Sequence, residues 1–427
     1  MSTFRLRLDF EKILWGIALL GIALFFVVRA RKPAEVLAPL TPAVRASMVS
    51  ANNDFGFRLF NVLAPRQLPN LMLSPADLQV GLGLLANGAH GATRAQIASL
   101  LEWTGPLAPA QEDGVLVHTD QALQVLAGEL FAADAHVQVT AANALWVEKS
   151  LALSTRFRRL NSQYFDTSLH QVHFSERATA SAMNKWVSHQ THGTIPVVDG
   201  AGTFDARTRM IALNALTVKN TWMEKFDPTL TREEAFTLLD GTAQMVPMMH
   251  RDGALLYAED SLMQVVKLPC GEGKVSMVLL LPRAGQRLDA VCQAVFNAAQ
   301  WPALQARLRS REGRLALPRC RITSSINCAD VLPALGLVKA FAPGQADFTA
   351  MSAMPCSLNA LQHTIALDIN EGGDRPVTPT PHTLAEPGDP SDPPFALLAN
   401  RPFLFALLAD DGAVLLLGSV TAPCAEF

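Results

Sequence analysis

The chain has 427 residues, of which 49% are hydrophobic and 17% are charged, and its formal net charge is −3. This length is enough for one large domain or for two domains of ordinary size. Because there is no excess of basic residues to bind phosphates, the charge balance argues against nucleic acid as a partner.

An uninterrupted apolar run of 16 residues occupies positions 13–28, between Lys12 and Arg29. As a helix it would span about 24 Å, slightly less than the hydrocarbon core of a bilayer, and its basic flanks could reach the headgroups. We therefore expect residues 1–32 to be a membrane anchor or a cleaved signal segment, with "VRA" at 28–30 as a weak cleavage site. Either alternative gives an anchored or secreted protein whose globular part lies outside the cytoplasm, in the periplasm or the extracellular space.

Residues 33–46 are rich in proline and alanine, which predicts a tether. The globular domain is then expected over residues 47–427. Its first segment, "SMVSANNDFGFRLFNVLAP", has apolar residues at helical spacing, and this pattern predicts a helix that Pro65 ends.

The next two segments carry helix start and stop signals. In "NLMLSPADLQVGLGLLANGAHG", Ser74 is a predicted N-cap, Pro75 takes the first helical position and Gly88 closes the helix. "TRAQIASLL" repeats this pattern, with Thr93 as N-cap and Gln96 three residues later. The first third of the chain is therefore predicted to be largely helical.

The pattern changes to β-strands in the later part of the chain. "MQVVKLPCGEGKVSMVLLLP" consists of two β-rich runs joined by a glycine-containing turn, which predicts a hairpin. "FALLANRPFLFALLADDGAVLLLGSV" contains a second pair of strands around the turn at 410–412, and their continuous apolarity predicts burial on both faces. Early helices and late strands together favour an α+β domain.

Six cysteines lie in the C-terminal third without a C-x-x-C pair, a pattern typical of neither a zinc site nor a dense disulfide framework: Cys270, Cys292, Cys320, Cys328, Cys356 and Cys424. We expect buried thiols, and one or two disulfides remain open. His189 and His192 have the helical spacing of a metal pair. A helix C-terminus at Gly193 explains them better, so we expect neither a metal nor a cofactor.

Signatures of common hydrolases are missing from the sequence. There is no G-x-S-x-G elbow, no H-E-x-x-H and no P-loop, and Ser419 in "LLGSVTA" lacks the second glycine. A hydrolytic enzyme is therefore only a remote alternative.

Seven stretches resemble, in family order, the serpin family of serine protease inhibitors: "NLMLSPADLQVGLGLLANGAHGATRAQI", "ANALWVEKSLALSTRFRRLNSQYF", "LNALTVKNTW", "VPMMHRDG", "VKLPCGEGKVSMVLLLP", "HTIALDINEGG" and "RPFLFALLADDGAVLLLGSV". The resemblance covers positions from about 50 to 423. It implies an α+β fold of three β-sheets and eight or nine helices, with an exposed reactive-centre loop at about 371–395. It also implies an inhibitor rather than an enzyme, here expected to be a monomeric, bacterial-type, membrane-attached or secreted member.

The resemblance also assigns positions. The hinge of the reactive loop corresponds to Glu371, Gly372, Gly373, Asp374, Arg375 and Pro376. The polar cluster beneath the main sheet, where two strands part to admit the loop, corresponds to Ser74, Asn214 and His363, and Trp222 lies at the top of that opening. Two positions depart from the family, which usually has a small hydroxyl residue in place of Asp77 and a glycine in place of Asn220.

In an inhibitory serpin the cleaved loop inserts as a new central strand and carries the acylated protease with it. A central strand needs every backbone N–H, which Pro376, Pro379 and Pro381 lack. Strand alternation would also point either Asp374 or Arg375 into the core. We therefore favour a serpin that presents residues 371–395 as bait with weakened trapping; a fully inhibitory suicide trap is the alternative.

Family spacing puts the scissile bond about seventeen residues beyond Glu371. The candidate region comprises Leu384, Ala385, Glu386, Pro387 and Gly388. Leu384 and Ala385 would suit the apolar or small pocket of a chymotrypsin- or elastase-like serine protease. A trypsin-like protease is not expected to cut the loop, because proline follows both Arg375 and Arg401.

Overall fold

The structure, a computed structural model, describes residues 40–66, 69–104, 116–197, 204–205, 207–372 and 392–423. Within this part of the chain there are eight α-helices: α1 (Pro42–Leu63), α2 (Pro75–Gly88), α3 (Gly91–Leu100), α4 (Val117–Phe131), α5 (Thr155–Leu160), α6 (Ala178–Gln190), α7 (Leu288–Val295) and α8 (Gln300–Ala306). The strands in the same part of the chain are β1 (Asn70–Leu73), β2 (Gln138–Glu148), β3 (Ser168–Val172), β4 (Met210–Lys219), β5 (Arg232–Thr237), β6 (Ala243–Glu259), β7 (Met263–Cys270), β8 (Val275–Pro282), β9 (Arg309–Pro318), β10 (Cys320–Asn327), β11 (Ala360–Ile369), β12 (Phe395–Leu398), β13 (Phe403–Ala409) and β14 (Val414–Val420). The predicted α+β class is confirmed.

A five-stranded sheet in the order β10-β11-β4-β2-β3 forms the centre of the domain. One of its faces packs against α6, through a buried cluster that includes Met183 and Val187 of the helix and Ile211 and Leu213 of β4. The other face packs on the main hydrophobic core, to which α1 and α2 contribute. Because both faces are covered, β4 and β11 are buried along almost their whole length.

The remaining strands form a nine-stranded sheet in which β1-β14-β13-β8-β7-β6-β9-β12 follow one another and β5 pairs with β6. The 17-residue β6 pairs with β5 at its start, with β9 over its middle and with β7 at its end. The family resemblance predicts three sheets, and the described strands form two hydrogen-bonded networks because this long strand joins what would otherwise be separate sheets. Both predicted hairpins, β7–β8 and β13–β14, are confirmed.

Local capping signals locate α2 correctly and α3 incorrectly. The Ser74 hydroxyl accepts a hydrogen bond from the Asp77 amide at 3.4 Å, and α2 ends at Gly88, as predicted. The prediction that Thr93 caps α3 is wrong, because that helix begins at Gly91. The Thr93 hydroxyl instead accepts a hydrogen bond at 3.0 Å from the amide of Asp347, which is distant in the chain.

The predicted end of the tether at residue 46 is also wrong. Helix α1 begins at Pro42, where Thr41 is the N-cap and proline takes the first helical position. The helix ends at Leu63, two residues before Pro65. Apolar side chains of α1, such as Met48 and Phe55, pack in the core and stabilise the helix. Its first residues therefore lie in a segment whose composition alone indicated a linker.

Five cysteines are free and buried, as predicted: Cys270, Cys292, Cys320, Cys328 and Cys356. Burial raises the pKa of the Cys270 and Cys328 thiols to about 12, so they remain protonated. Cys424 lies outside the described residues. Helix α6 ends at Gln190 and the chain turns at Gly193 with a φ of 79°, which confirms the helix end predicted near His189 and His192.

No helix in the described part of the chain has both the length and the apolarity that crossing a membrane requires. Residues 13–28, on which the membrane prediction rests, lie outside that part.

Candidate functional site: the seam between two central strands

The seam between β4 and β11 is closed along its length. The two strands pair in parallel from Ile211 with Ala360 to Lys219 with Asp368. All residues of β4 except Lys219 are buried, and so are all residues of β11 after Ala360. A strand inserted here would therefore have to replace this entire ladder and would be covered on both faces.

A row of polar side chains crosses the seam at its middle. Asn143 pairs with Asn214, and Asn214 pairs with His363, on three neighbouring strands. These side chains meet the N-terminus of α2, where the Ser74 amide donates to Nε2 of His363 at 3.0 Å. Asn214 donates to the Asp77 carbonyl at 3.3 Å and to Oδ1 of Asn143, and Asn143 donates to Oδ1 of Asp77 at 3.0 Å.

The structure thus brings together three of the predicted cluster residues. Ser74, Asn214 and His363 are each at most 1% exposed. The same helix end is hydrogen-bonded to strands on both sides of the seam, so parting the strands breaks bonds on at least one side. Asn143 belongs to this network, although the family resemblance did not assign it.

Burial sets the protonation of the two titratable groups in the cluster. Desolvation lowers the pKa of His363 to about 3, which keeps the imidazole neutral at ordinary pH. Desolvation raises the pKa of Asp77 to about 7, although the hydrogen bond from Asn143 opposes that rise. The departure from the family at Asp77 therefore places a carboxyl group with a near-neutral pKa directly under the seam.

Trp222 lies outside the polar cluster, at the end of the seam where β11 ends. Its Nε1 donates to the carbonyl oxygen of Asn370 at 2.6 Å, immediately after β11. Its ring packs edge-to-face with Phe226 at a centroid distance of 5.7 Å. The backbone of Gly372, two residues after Asn370, packs closely against Lys225. A Cβ at this position would lie 2.6 Å from Cδ of Lys225.

The first hinge residue, Glu371, is held by side-chain and backbone contacts. One carboxylate oxygen accepts from the Thr231 hydroxyl at 2.8 Å and from Nη1 of Arg319 at 3.2 Å. The backbone carbonyl accepts from the Phe226 amide at 2.8 Å. Only 13% of the Glu371 side chain is exposed, compared with 38% of Arg319. The hinge therefore begins from a fixed position beside the closed seam.

The partners of Glu371 were not found by sequence reasoning. Arg319 and Thr231 are 52 and 140 residues away from Glu371 in the chain. No local pattern marks them, since an arginine after β9 and a threonine before β5 are ordinary surface choices. Only the fold shows that these positions converge on the hinge.

The rest of the predicted loop lies outside the described residues. This applies to the hinge positions Gly373, Asp374, Arg375 and Pro376 and to the candidate scissile region Leu384, Ala385, Glu386, Pro387 and Gly388. The chain is described again from residue 392, and Nε of Arg311 donates to the Pro393 carbonyl at 2.8 Å. Both ends of the loop are therefore attached to the domain.

Comparison of the sequence with known proteins identifies the same family as the sequence resemblance. A family model described as Serpin (serine protease inhibitor) matches residues 50–423. Serpin-ZXA of Oryza sativa subsp. japonica is 30% identical over 395 residues, which cover 88% of this chain and 97% of the rice protein. Serpin B9 of Homo sapiens is 28% identical over 387 residues, which cover 88% of this chain and 100% of the human protein. These plant and human relatives give no support to a bacterial-type member.

Two solved structures share the fold. Native protease nexin-1, crystallised with heparin, superposes with a TM-score of 0.76 at 21% identity and covers 89% of this chain and 99% of its own. Uncleaved ovalbumin superposes with a TM-score of 0.75 at 22% identity and covers 88% of this chain and 100% of its own. At such identities the likeness establishes the architecture.

Proposed function

This chain belongs to the serpin family, whose members are protease inhibitors and not catalysts, and we propose that it presents residues 371–395 to a serine protease with weakened covalent trapping. The observation that carries the proposal is the burial of the seam on both faces. A loop can enter there only if its side chains suit an apolar environment on each side.

The hinge sequence does not meet that requirement. Asp374 and Arg375 are consecutive, so in an inserted strand they would point to opposite faces. One face of the central sheet packs against α6 and the other against the main core. A charge buried on either side without a partner carries a large desolvation cost.

The prolines of the loop oppose insertion in a second way. A strand between β4 and β11 would have neighbours on both sides, and each proline would leave a carbonyl of a neighbour without its N–H donor. Each such buried loss costs roughly 1–3 kcal/mol. Pro376, Pro379 and Pro381 together could thus cancel much of the gain from forming a new strand.

Incubation with a panel of serine proteases tests this proposal. We expect cleavage of the loop without a complex that survives denaturing electrophoresis. A combined variant, Asp374→Ala, Arg375→Thr and Pro376→Ala, should increase the fraction of protease held in such a complex. The matched control is Pro390→Ala, which removes a proline far from the hinge. A stable stoichiometric complex with the wild-type protein would establish the fully inhibitory alternative.

We further propose that residues 13–28 attach the protein to a membrane, which would place the globular domain outside the cytoplasm. The support is the apolar run with basic residues at both ends. The full chain should then stay in the membrane fraction after a carbonate wash, and a protein that begins at Leu40 should not. A mature N-terminus at Arg31 would instead identify a cleaved signal segment.

A further inference from the structure

A cavity of about 310 Å³ lies at one end of the nine-stranded sheet, beside the start of α7. None of its lining residues belongs to the hinge, the polar cluster or the loop. In the sheet register Leu71 and Leu404 both pair with Ser419, so these three side chains point to the same side and line the cavity together. The cavity therefore has a largely apolar floor that carries one hydroxyl.

Arg401 supplies a charge to this cavity, and no carboxylate in the described part of the chain pairs with it. Its guanidinium donates through Nε and Nη2 to the Pro282 carbonyl, at 3.1 and 2.8 Å, and through Nη1 to Oδ1 of Asn400 at 3.3 Å. All of these acceptors are uncharged. Among the described residues it forms no ion pair, and its pKa is lowered by burial and by the nearby positive charge of Arg283.

The other two arginines of the cavity differ from Arg401 because each has a carboxylate partner. Arg283 pairs with Glu259, and Arg287 pairs with Asp289 through two hydrogen bonds of 2.9 and 2.7 Å. Among the described residues, Arg401 is thus the arginine of the cavity that has no carboxylate partner. A half-buried cation that contacts only neutral oxygens favours an anionic ligand.

The donor count of Arg401 leaves room for such a ligand. A guanidinium has five N–H donors, and within the part of the chain that the structure describes three of them are used, by Pro282 and Asn400. The two that remain belong to Nη1 and Nη2, the pair that can hold the two oxygens of one carboxylate. Leu239, which lines the same cavity, leaves 48% of its surface exposed.

We propose that this cavity binds a small organic acid with an apolar body, such as a medium-chain fatty acid. The carboxylate receives hydrogen bonds from Arg401, and the chain lies over Leu404 and Leu71 and under Leu239. The volume is at the lower end of the range for small-molecule sites, which fits one short chain rather than a large ligand. The cavity is distinct from the seam, so occupancy does not depend on protease inhibition.

Equilibrium dialysis of the full chain with radiolabelled decanoate tests the site, and decanol of the same length serves as the neutral comparison. Decanoate should bind at least about tenfold more tightly than decanol, because a charge-assisted hydrogen bond is lost in the alcohol. Arg401→Gln should weaken decanoate binding by a similar factor. Arg309→Gln is the matched control, since that guanidinium also donates only to carbonyl oxygens but lies outside the cavity.

A second variant keeps the test decisive if Arg401→Gln does not fold. Leu239→Glu changes an exposed rim residue, and its carboxylate should compete with the ligand for Arg401 and weaken binding about tenfold. Val338→Glu, at a residue that is 47% exposed and outside the cavity, is its control and should bind normally. The proposal is overturned if decanoate does not bind, or if it binds equally to the wild type and the cavity variants.

Discussion

Nδ1 of His363 lies 3.7 Å from Oδ2 of Asp77, and each of these two buried atoms is without a hydrogen-bond partner among the residues that the structure describes. Because Nε2 of His363 accepts from the Ser74 amide, Nδ1 must carry the proton of the neutral ring. A distance of 3.7 Å is too long for a hydrogen bond. The pair is therefore a neutral imidazole facing a carboxyl group under the seam, and not an ion pair.

This pair predicts opposite pH dependences for two variants. The pKa of His363 falls from 6.5 to about 3 on folding, so its contribution to stability is present above pH 6.5 and is lost as the pH falls toward 3. The pKa of Asp77 rises from 3.8 to about 7, so its contribution is present below pH 3.8 and is lost as the pH rises through 7. Between pH 3.8 and 6.5 the two trends cancel in the wild type.

Removing one group should expose the trend of the other. Relative to the wild type, Asp77→Asn should gain stability as the pH rises from 4 to 6.5, and His363→Asn should lose it, each by at most about 1.4 kcal/mol per pH unit. Denaturant unfolding midpoints measured across this range test the prediction. Parallel pH profiles for the wild type and both variants would show that neither group is perturbed by burial.

The hydrogen bonds that hold the Glu371 carboxylate predict a local loss of stability when this carboxylate is removed. In Glu371→Ala the hydrogen bonds from Thr231 and Arg319 are lost. Since Arg319 is partly exposed, we expect a local cost of only about 1 kcal/mol, or roughly fivefold faster hydrogen exchange at the Phe226 amide. Glu233→Ala, at an exposed position of β5, is the control and should leave that exchange unchanged. Unchanged exchange in Glu371→Ala would mean that the carboxylate does not hold the hinge.

A sequence pattern predicts the structure of this protein correctly when the groups that interact are close together in the chain. Ser74 and Gly88 are confirmed as the ends of α2 because the groups they cap lie within the same segment. Thr93 has an equally good local pattern, yet its hydroxyl binds the amide of Asp347, and a sequence pattern does not distinguish these uses. The family resemblance brought Asn214 and His363 to one site, which neither spacing nor composition could do.

Loop cleavage should leave the stability of this protein nearly unchanged. An inserted strand would raise the melting temperature, but Asp374, Arg375 and the loop prolines oppose insertion. We expect the melting temperature to rise by no more than a few degrees after cleavage near Leu384. For scale, about 1 kcal/mol of stability corresponds to roughly 2–4 °C in domains of 150–250 residues. The combined variant Asp374→Ala, Arg375→Thr and Pro376→Ala should show a larger rise. A large rise in the wild type would mean that the loop inserts despite its hinge.

The last prediction concerns the specificity of loop cleavage. The only lysine or arginine between Glu371 and Arg401 is Arg375, and proline follows it as well as Arg401. A trypsin-like protease needs a basic residue before the scissile bond, and a following proline does not fit its site. Thr383, Leu384 and Ala385 form a short stretch without proline near the expected position, and Leu384 or Ala385 suits an apolar or small specificity pocket.

Chymotrypsin- or elastase-like proteases should therefore cut after Leu384 or Ala385, and trypsin should leave the loop intact. Sequencing of the new N-terminus after limited digestion identifies the bond. Leu384→Asp should slow chymotrypsin at least about tenfold, because a charge would have to enter an apolar pocket. Val338→Asp, at an exposed apolar residue outside the loop and the cavity, controls for general effects of the charge. Rapid tryptic cleavage between Glu371 and Phe395 would show that the bait residues have been wrongly assigned.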